Sequence, residues 1–373
     1  MKDSLNIALI GHKFMGKAHS HAYKDVSMFF DLEMKPVRKV LCGIGEDLEA
    51  TMKKYGWETC EESWEKVVTD PSIDVVDICT PDNFHKDIAI AAAINGKHVI
   101  CEKPLALTLD EAREMYECTE KYKVKHFVNF TYRGVPAIRL AKKLIKEGRI
   151  GAIYHFKGLY QQDFSLSEDF PFVWRMDRNA AGAGTMADKG AHIIDLARFL
   201  VGEFAEVSCR SETFVKERTD PATGTRQTVT ANDAAVFIGT FQNGALGLFE
   251  TSNMSAGRKN ALMLEINGSK GSIRFDLERM NELDVYFAED EDEVQGFRNI
   301  MVTQPSHKYI KQWWPAGHII GWEHTFVHQV YEFLNAIAED RMPEPNFFDG
   351  MKCQEVVEAI ARADKEKRWV KIS

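Results

Sequence analysis

The chain has 373 residues, 45% of them hydrophobic, enough for two buried cores at the usual ~100–200 residues per domain. Its formal charge of −9, from 56 acidic against 47 basic side chains, gives no general electrostatic reason to bind nucleic acid or an anionic membrane surface. No apolar run reaches the ~18 residues of a membrane-spanning helix.

The segment Met1-Lys2-Asp3-Ser4-Leu5-Asn6-Ile7 runs straight into a strand-like stretch, without the longer apolar core and small-residue cleavage site of a secretory signal. The cysteines, at Cys42, Cys60, Cys79, Cys101, Cys118, Cys209 and Cys353, form an odd set with no Cys-x-x-Cys pair. They read as scattered thiols in a reducing cytoplasm, not as a disulfide framework or a structural zinc site.

From Leu5 to about Phe130 short apolar runs alternate with helical patterns. The expected strands are Leu5–Ile10, Val37–Cys42, Ile73–Cys79, His98–Cys101 and Lys125–Phe130. Helices around Ala18–Phe29, Asp47–Tyr55, Phe84–Asn95 and Leu109–Tyr122 are long enough for crossovers, which predicts an α/β parallel sheet covered on both faces.

After a helix near Pro136–Glu147 the pattern changes. Runs such as Ile153–Tyr160, Val207–Phe214, Ala234–Phe241, Ala245–Thr251, Ala261–Asn267 and Ser272–Asp276 predict a large, mainly antiparallel open sheet. Asn243-Gly244 and Asn267–Gly271 supply turns between consecutive strands. Lys216–Thr228 is charged and turn-rich and reads as a surface excursion, and late helices fall around Glu323–Ala338 and Met351–Ala363. The domain boundary is expected near residue 130, giving domains 1–130 and 131–373, with the last helices able to pack back on the first domain.

The first strand ends at Gly11-His12-Lys13-Phe14-Met15-Gly16. A strand-to-helix turn with glycine at both ends suits a pyrophosphate, because backbone N–H groups at a helix N-terminus favour anions. The central glycine of Gly-x-Gly-x-x-Gly is replaced by Lys13, and Lys13 or His12 is a candidate donor to phosphate. The plainer reading is that His12, Lys13, Lys17, His19 and His21 solvate a helix entrance. At the end of the second strand the position expected to carry an acidic residue is Gly43, yet no arginine follows to receive a 2′-phosphate. NAD is therefore favoured, with Glu46 or Asp47 as ribose partner and NADP left open.

Two further groups carry chemistry. Lys103 lies just beyond a strand's carboxyl end, where open α/β sheets place ligands. Asp188 and His192 share one face of an expected helix through their i, i+4 spacing. Oxidising an alcohol needs a base near neutrality, for which His192 is the leading candidate. Asp188 either orients His192 or binds substrate. Lys103 either stabilises the developing alkoxide or, as a neutral amine, takes the proton itself. His324 and His328 are also four apart, but no third ligand follows from the sequence, and no metal site is expected. Tyr160, Gln162, Asp163, Trp174, Arg175, His318 and His324 mix aromatic faces with polar groups, as a polyol pocket does. For any single tryptophan a place in a core or an interface is the plainer reading.

With Gly11–Gly16, Thr80-Pro81-Asp82-Asn83-Phe84-His85, Cys101-Glu102-Lys103-Pro104-Leu105 and Asp188–His192 in this order, nearly the whole chain resembles the Gfo/Idh/MocA oxidoreductases. The resemblance implies an N-terminal Rossmann domain that binds a nicotinamide dinucleotide. It also implies a C-terminal α/β domain that binds substrate and whose open sheet supports homo-oligomers. Lys103, Asp188 and His192 match the family's catalytic positions. Thr80, Pro81, Asn83 and His85 match the loop beside the nicotinamide ribose, and Glu102 another cofactor contact. Tyr132 and Arg133 fall in a segment, Phe130-Thr131-Tyr132-Arg133, that departs from the frequent Phe-Asn-Tyr-Arg at Thr131.

The expected function is NAD-dependent oxidation of a secondary hydroxyl in a sugar, glycoside or cyclitol, with glucoside C3 oxidation by tightly bound NAD(H) as a specific form. Two other classes compete: a glycosidase that oxidises its substrate transiently, and a cofactor-binding regulator without turnover.

Overall fold

The structure, a computed structural model, describes residues 3–372. It divides into two compact units, Met1–Gly134 with Gly321–Lys352, and Val135–Ile320 with Cys353–Ser373.

In the first unit the chain order is β1 (Ser4–Ile10), α1 (Phe14–Phe29), β2 (Lys35–Cys42), α2 (Leu48–Tyr55), β3 (Thr59–Glu61), α3 (Trp64–Thr69), β4 (Val75–Ile78), α4 (His85–Ile94), β5 (His98–Cys101), α5 (Leu109–Lys121) and β6 (His126–Val128). The strands form a six-stranded sheet in the order β3-β2-β1-β4-β5-β6, and every pair is parallel. This is the doubly wound order whose switch point, between β1 and β4, opens a crevice at the carboxyl ends of the strands. β4 is buried along its whole length, as a two-sided parallel strand should be. The sequence pattern yields five strands and misses β3, because Thr59-Cys60-Glu61 is too short and too polar to stand out.

The late helix Trp322–Ala338 belongs to this unit. It lies along α1, with Phe14 stacked on Trp322 at 5.7 Å and Phe30, just past the end of α1, tilted against Tyr331 at 4.4 Å.

The second unit comprises α6 (Pro136–Lys146), β7 (Ile153–Gln161), α7 (Arg178–Ala181), α8 (Ala191–Leu200), β8 (Phe204–Glu212), β9 (Glu217–Thr219), β10 (Arg226–Thr228), β11 (Ala234–Phe241), β12 (Leu246–Ser252), β13 (Ala261–Gly268), β14 (Gly271–Asp276), β15 (Glu282–Phe287) and β16 (Arg298–Met301). After α9, the Trp322–Ala338 helix, come α10 (Phe347–Glu366), which crosses the division at Lys352, and β17 (Val370–Lys371). Nine strands form one sheet in the order β16-β15-β14-β13-β7-β12-β11-β8-β17. Its pairs are antiparallel except β7 with β12.

One face of the sheet is filled by an aromatic cluster. Phe237 stacks on Phe249 at 4.4 Å, Phe204 meets Phe241 at 4.6 Å, and Phe156 meets Phe249 at 5.3 Å. The expected surface excursion proves to be anchored: β9 and β10 pair as a hairpin. Arg218 within it is fully buried and donates to the carbonyls of Ser165, Ser167 and Phe170. The three carbonyls satisfy its two terminal nitrogens and leave Nε without a partner, an enclosure that charge patterning along a sequence does not reveal.

Phe249 sits at the centre of this cluster, so Phe249→Ala should cost about 3–5 kcal/mol through lost burial and the cavity left behind. Urea unfolding checks this, with an unchanged midpoint as the adverse result.

Candidate active site

In the first unit the turn after β1 is built by close approach. Gly11 has φ +105°, and a Cβ there would lie 2.4 Å from the Cys79 carbonyl oxygen; a Cβ on Gly16 would lie 2.0 Å from the Gly11 oxygen. Only glycine fits at either position, and the chain passes directly from strand to helix. The first turn of α1 carries no acidic side chain and no side chain caps it, so its backbone donors suit an anion.

Beside the turn, Thr80 follows β4, and its hydroxyl is shielded from solvent without a protein hydrogen-bond partner. A dinucleotide's ribose and phosphate oxygens match these donors, so the residues fit the cofactor expected here. His85 is fully buried, its ring nitrogens 3.0 Å from the Pro104 oxygen and 3.1 Å from the Thr80 oxygen. It ties the loop after β4 to the loop after β5. Pro81 and Asn83 are exposed on the first of these loops. Asp47, not Glu46, is the carboxylate that meets the phosphate turn, through Lys13 and His12.

Lys103 follows β5, half-buried, at a cis peptide bond to Pro104. Beneath it lies a buried polar network. His19, on α1, places Nδ1 2.8 Å from Asp77 Oδ2 and Nε2 2.9 Å from Glu102 Oε1. Asn129 Nδ2 donates to the same Glu102 oxygen at 2.5 Å, and the Lys103 backbone N–H donates to Glu102 Oε2 at 3.3 Å. Burial alone would lower the pKa of His19, but the Asp77 charge overrides it and holds the imidazole well above its ordinary value. For Glu102, burial pushes the carboxyl up, and the hydrogen bonds and charges of His19, Asn129 and Lys103 outweigh it and keep it low. The donor atoms of His19, Asp77 and Cys79 also lie within 4.8 Å of one another. Both His19 nitrogens are committed to carboxylates, so the cluster is a hydrogen-bonded ion network.

In the second unit Asp188 lies in a π-helical turn, Met186–Gly190, that runs directly into α8 with His192 in its first turn. The expected regular helix is thus widened by one residue at the carboxylate, an i→i+5 geometry that recurs at functional sites. Lys189 is 1% exposed; its ammonium bonds to Asn253 Oδ1 and to Asp188 Oδ2 at 3.2 Å. Arg175 approaches Asp188 from outside at 4.0 Å and stacks at 4.3 Å over Trp174. Tyr160 faces His192 at 5.7 Å between ring centres. The Tyr160 hydroxyl and Gln162 both donate to Asn260, at 2.7 and 2.9 Å. The arrangement combines a base, a flanked carboxylate, amides and aromatic faces.

Residues 5–130 match the model of the oxidoreductase family with an NAD-binding Rossmann fold, and residues 138–274 match the GFO/IDH/MocA C-terminal domain. The chain belongs to the Gfo/Idh/MocA oxidoreductases. It is 40% identical to a levoglucosan dehydrogenase of Pseudarthrobacter phenanthrenivorans, over 99% of this chain and 98% of that one. A crystal structure of an oxidoreductase domain protein from Kribbella flavida superposes with TM-score 0.97 at 47% identity, covering 100% of both chains. A levoglucosan dehydrogenase in complex with NADH and levoglucosan superposes with TM-score 0.96 at 41% identity, covering 99% of both.

In this Gfo/Idh/MocA oxidoreductase the structure gathers Trp174, Arg175, Asp188 and His192 with Gln162 in the second unit. Asp163 stands aside, held by Lys259 at 2.8 Å and by the Gly257 N–H. Four expected substrate residues have other surroundings. Tyr132 and Arg133 are buried in the first unit, where Arg133 pairs with Asp349 at 2.9 Å. His324 accepts from the Gly321 N–H at the start of α9, and His318 is exposed beside the Pro315 carbonyl of its own loop.

Sequence reasoning missed His19, Asp77, Asn129, Lys189, Asn253 and Asn260. The available signal was Asp77, a charge inside the apolar run Ile73–Cys79, which is costly in a buried strand unless paired.

Removing the imidazole strands two buried carboxylates, so His19→Ala should destabilise the protein by about 3–5 kcal/mol. Because the folded pKa of His19 is raised, its contribution is complete below its ordinary value of ~6.5 and is lost as pH rises through the folded value. Urea unfolding across pH should therefore show the gap between wild type and variant narrowing toward alkaline pH. A gap that widens would contradict the network.

Proposed function

We propose that this oxidoreductase transfers a hydride between NAD and a secondary hydroxyl of a pyranose sugar, glycoside or cyclitol. The observation that carries the reading is the widened turn that sets Asp188 and His192 on one segment among Tyr160, Trp174, Arg175 and Lys189. Such a lining covers a sugar's C–H face and addresses its hydroxyls. The levoglucosan bound in a relative makes an anhydropyranose the first substrate to test. A relative named glucose-6-phosphate 3-dehydrogenase, 25% identical over 98% of both chains, makes C3 the first position to examine.

A nicotinamide dinucleotide held at the Gly11–Gly16 turn and Thr80 would supply the acceptor for the hydride that leaves the carbinol carbon. An imidazole nitrogen of His192 takes the hydroxyl proton, and Asp188 orients the ring or the sugar. The Lys103 ammonium donates to the reacting oxygen and offsets its developing charge. Beneath it, Glu102 and His19 hold the backbone that carries Lys103.

The free state of all the cysteines suits a reducing cytoplasm. The outer face of the large sheet carries an apolar stripe, with Val236 and Ile238 on β11 and Leu246 and Leu248 on β12, each 43–54% exposed. Ile238 is directly opposite Leu248 in the ladder. We assign this stripe to a homo-oligomer contact, since contiguous exposed apolar surface marks interfaces.

A product-resolved screen with levoglucosan and glucosides should yield a ketosugar and NADH. Lys103→Met and His192→Asn should each lower kcat by roughly 10²–10⁴-fold, while the His192→Asn protein still binds NADH. Free sugar without net redox change would favour the glycosidase class instead, and undiminished activity in Lys103→Met would refute the assignment.

For the interface, Leu248→Glu should reduce the mass measured by light scattering to that of a monomer. A wild-type protein already monomeric would refute that part.

A further inference from the structure

In a doubly wound domain the adenosine ribose lies at the carboxyl end of β2, where a carboxylate ordinarily accepts its hydroxyls and repels a 2′-phosphate. Here that end is Gly43, and the structure leaves no room for a side chain: a Cβ would lie 2.2 Å from His12 Nδ1. His12, only 4% exposed, fills the space. The carboxylate arrives instead from Asp47, at the entrance to α2. Its Oδ1 lies 3.2 Å from His12 Nε2, and the Lys13 ammonium donates to both of its oxygens at 2.8 and 2.7 Å. Lys13 occupies the place of the turn's missing central glycine, so its ammonium stands beside the expected phosphate cradle.

We propose that Asp47 is the residue that makes this chain select NAD against NADP, acting in two ways. It places negative charge beside the ribose end of β2, and it holds Lys13 and His12, the donors that would otherwise receive a 2′-phosphate. Hydrogen bonds from Lys13 and His12 pull the Asp47 carboxyl down to about 2, so it stays ionised throughout the neutral range. A phosphate of charge about −1.5 to −2 must then approach a fixed anion whose neighbouring cation is already engaged. Free ribose hydroxyls need only an acceptor, which the same carboxylate supplies. The selectivity device is thus a displaced carboxylate that masks a lysine.

The inference deepens the NAD reading of the same domain, and binding separates the two. Calorimetric titration of the wild type with NADH and with NADPH should show NADH at least about tenfold tighter. Asp47→Asn should weaken NADH and tighten NADPH, shifting the ratio of dissociation constants by about tenfold or more. Adding Lys13→Ala to Asp47→Asn should abolish the gain for NADPH. A wild type that binds neither nucleotide would overturn the cofactor reading itself. A wild type that prefers NADH, but whose preference is unmoved by Asp47→Asn, would overturn only the role of Asp47. A gain for NADPH that survives loss of Lys13 would overturn the masked lysine.

Discussion

One buried imidazole holds the carboxyl edge of the first unit's sheet together. His19 reaches from α1 to carboxylates on β4 and just beyond β5, and Asn129, just past β6, joins at the same oxygen. Three parallel strands and a helix are thereby fixed relative to one another at the carboxyl edge of the sheet, where hydrogen bonds between strands cease. Lys103 follows immediately, and its own backbone N–H bonds to Glu102. The network contains two carboxylates and one imidazolium, and the Lys103 ammonium brings the local charge close to balance. A buried charge array of this kind is costly to form and costlier to break, which suits a role in placing one side chain rather than in adding stability.

The two units solve different problems with different grammar. In the first, glycine at positions 11 and 16 lets strand, helix and the neighbouring loop approach within a distance that any side chain would prevent. In the second, a sheet with one aromatic core face supports a helix whose first turn is widened at Asp188. Thr185, just before that turn, is anchored by Asn232 and Thr251 at 2.8 and 3.1 Å. The segment that carries Asp188 and His192 is therefore anchored to the sheet rather than carried by a free loop.

Much of this was legible in the sequence, and for physical reasons. The parallel strands of the first unit appear as continuous apolar runs because both faces are buried, and the phosphate turn appears because only glycine satisfies it. Lys103, Asp188 and His192 were visible through their order along the chain. The rest depends on partners distant in sequence. His19 looks like one of several histidines at a helix entrance until Asp77 and Glu102 are placed against it. A π turn shifts the helical register by one residue, but over the five residues Met186–Gly190 that shift is too short for apolar spacing to reveal the widening at Asp188. Nothing in the sequence around Lys189 marks it as buried, yet it is enclosed with Asn253, which lies on a strand-end loop 64 positions later. Arg218 sits in a charged, turn-rich stretch and is nonetheless fully enclosed.

Hydride transfer to NAD is the claim on which the functional account stands, and isotope labelling tests it most directly. A sugar substrate carrying deuterium on the carbon to be oxidised should yield a ketosugar free of the label and a nicotinamide product carrying one deuterium, read by mass spectrometry. Deuterium retained in the sugar product, or released to water, would contradict the account.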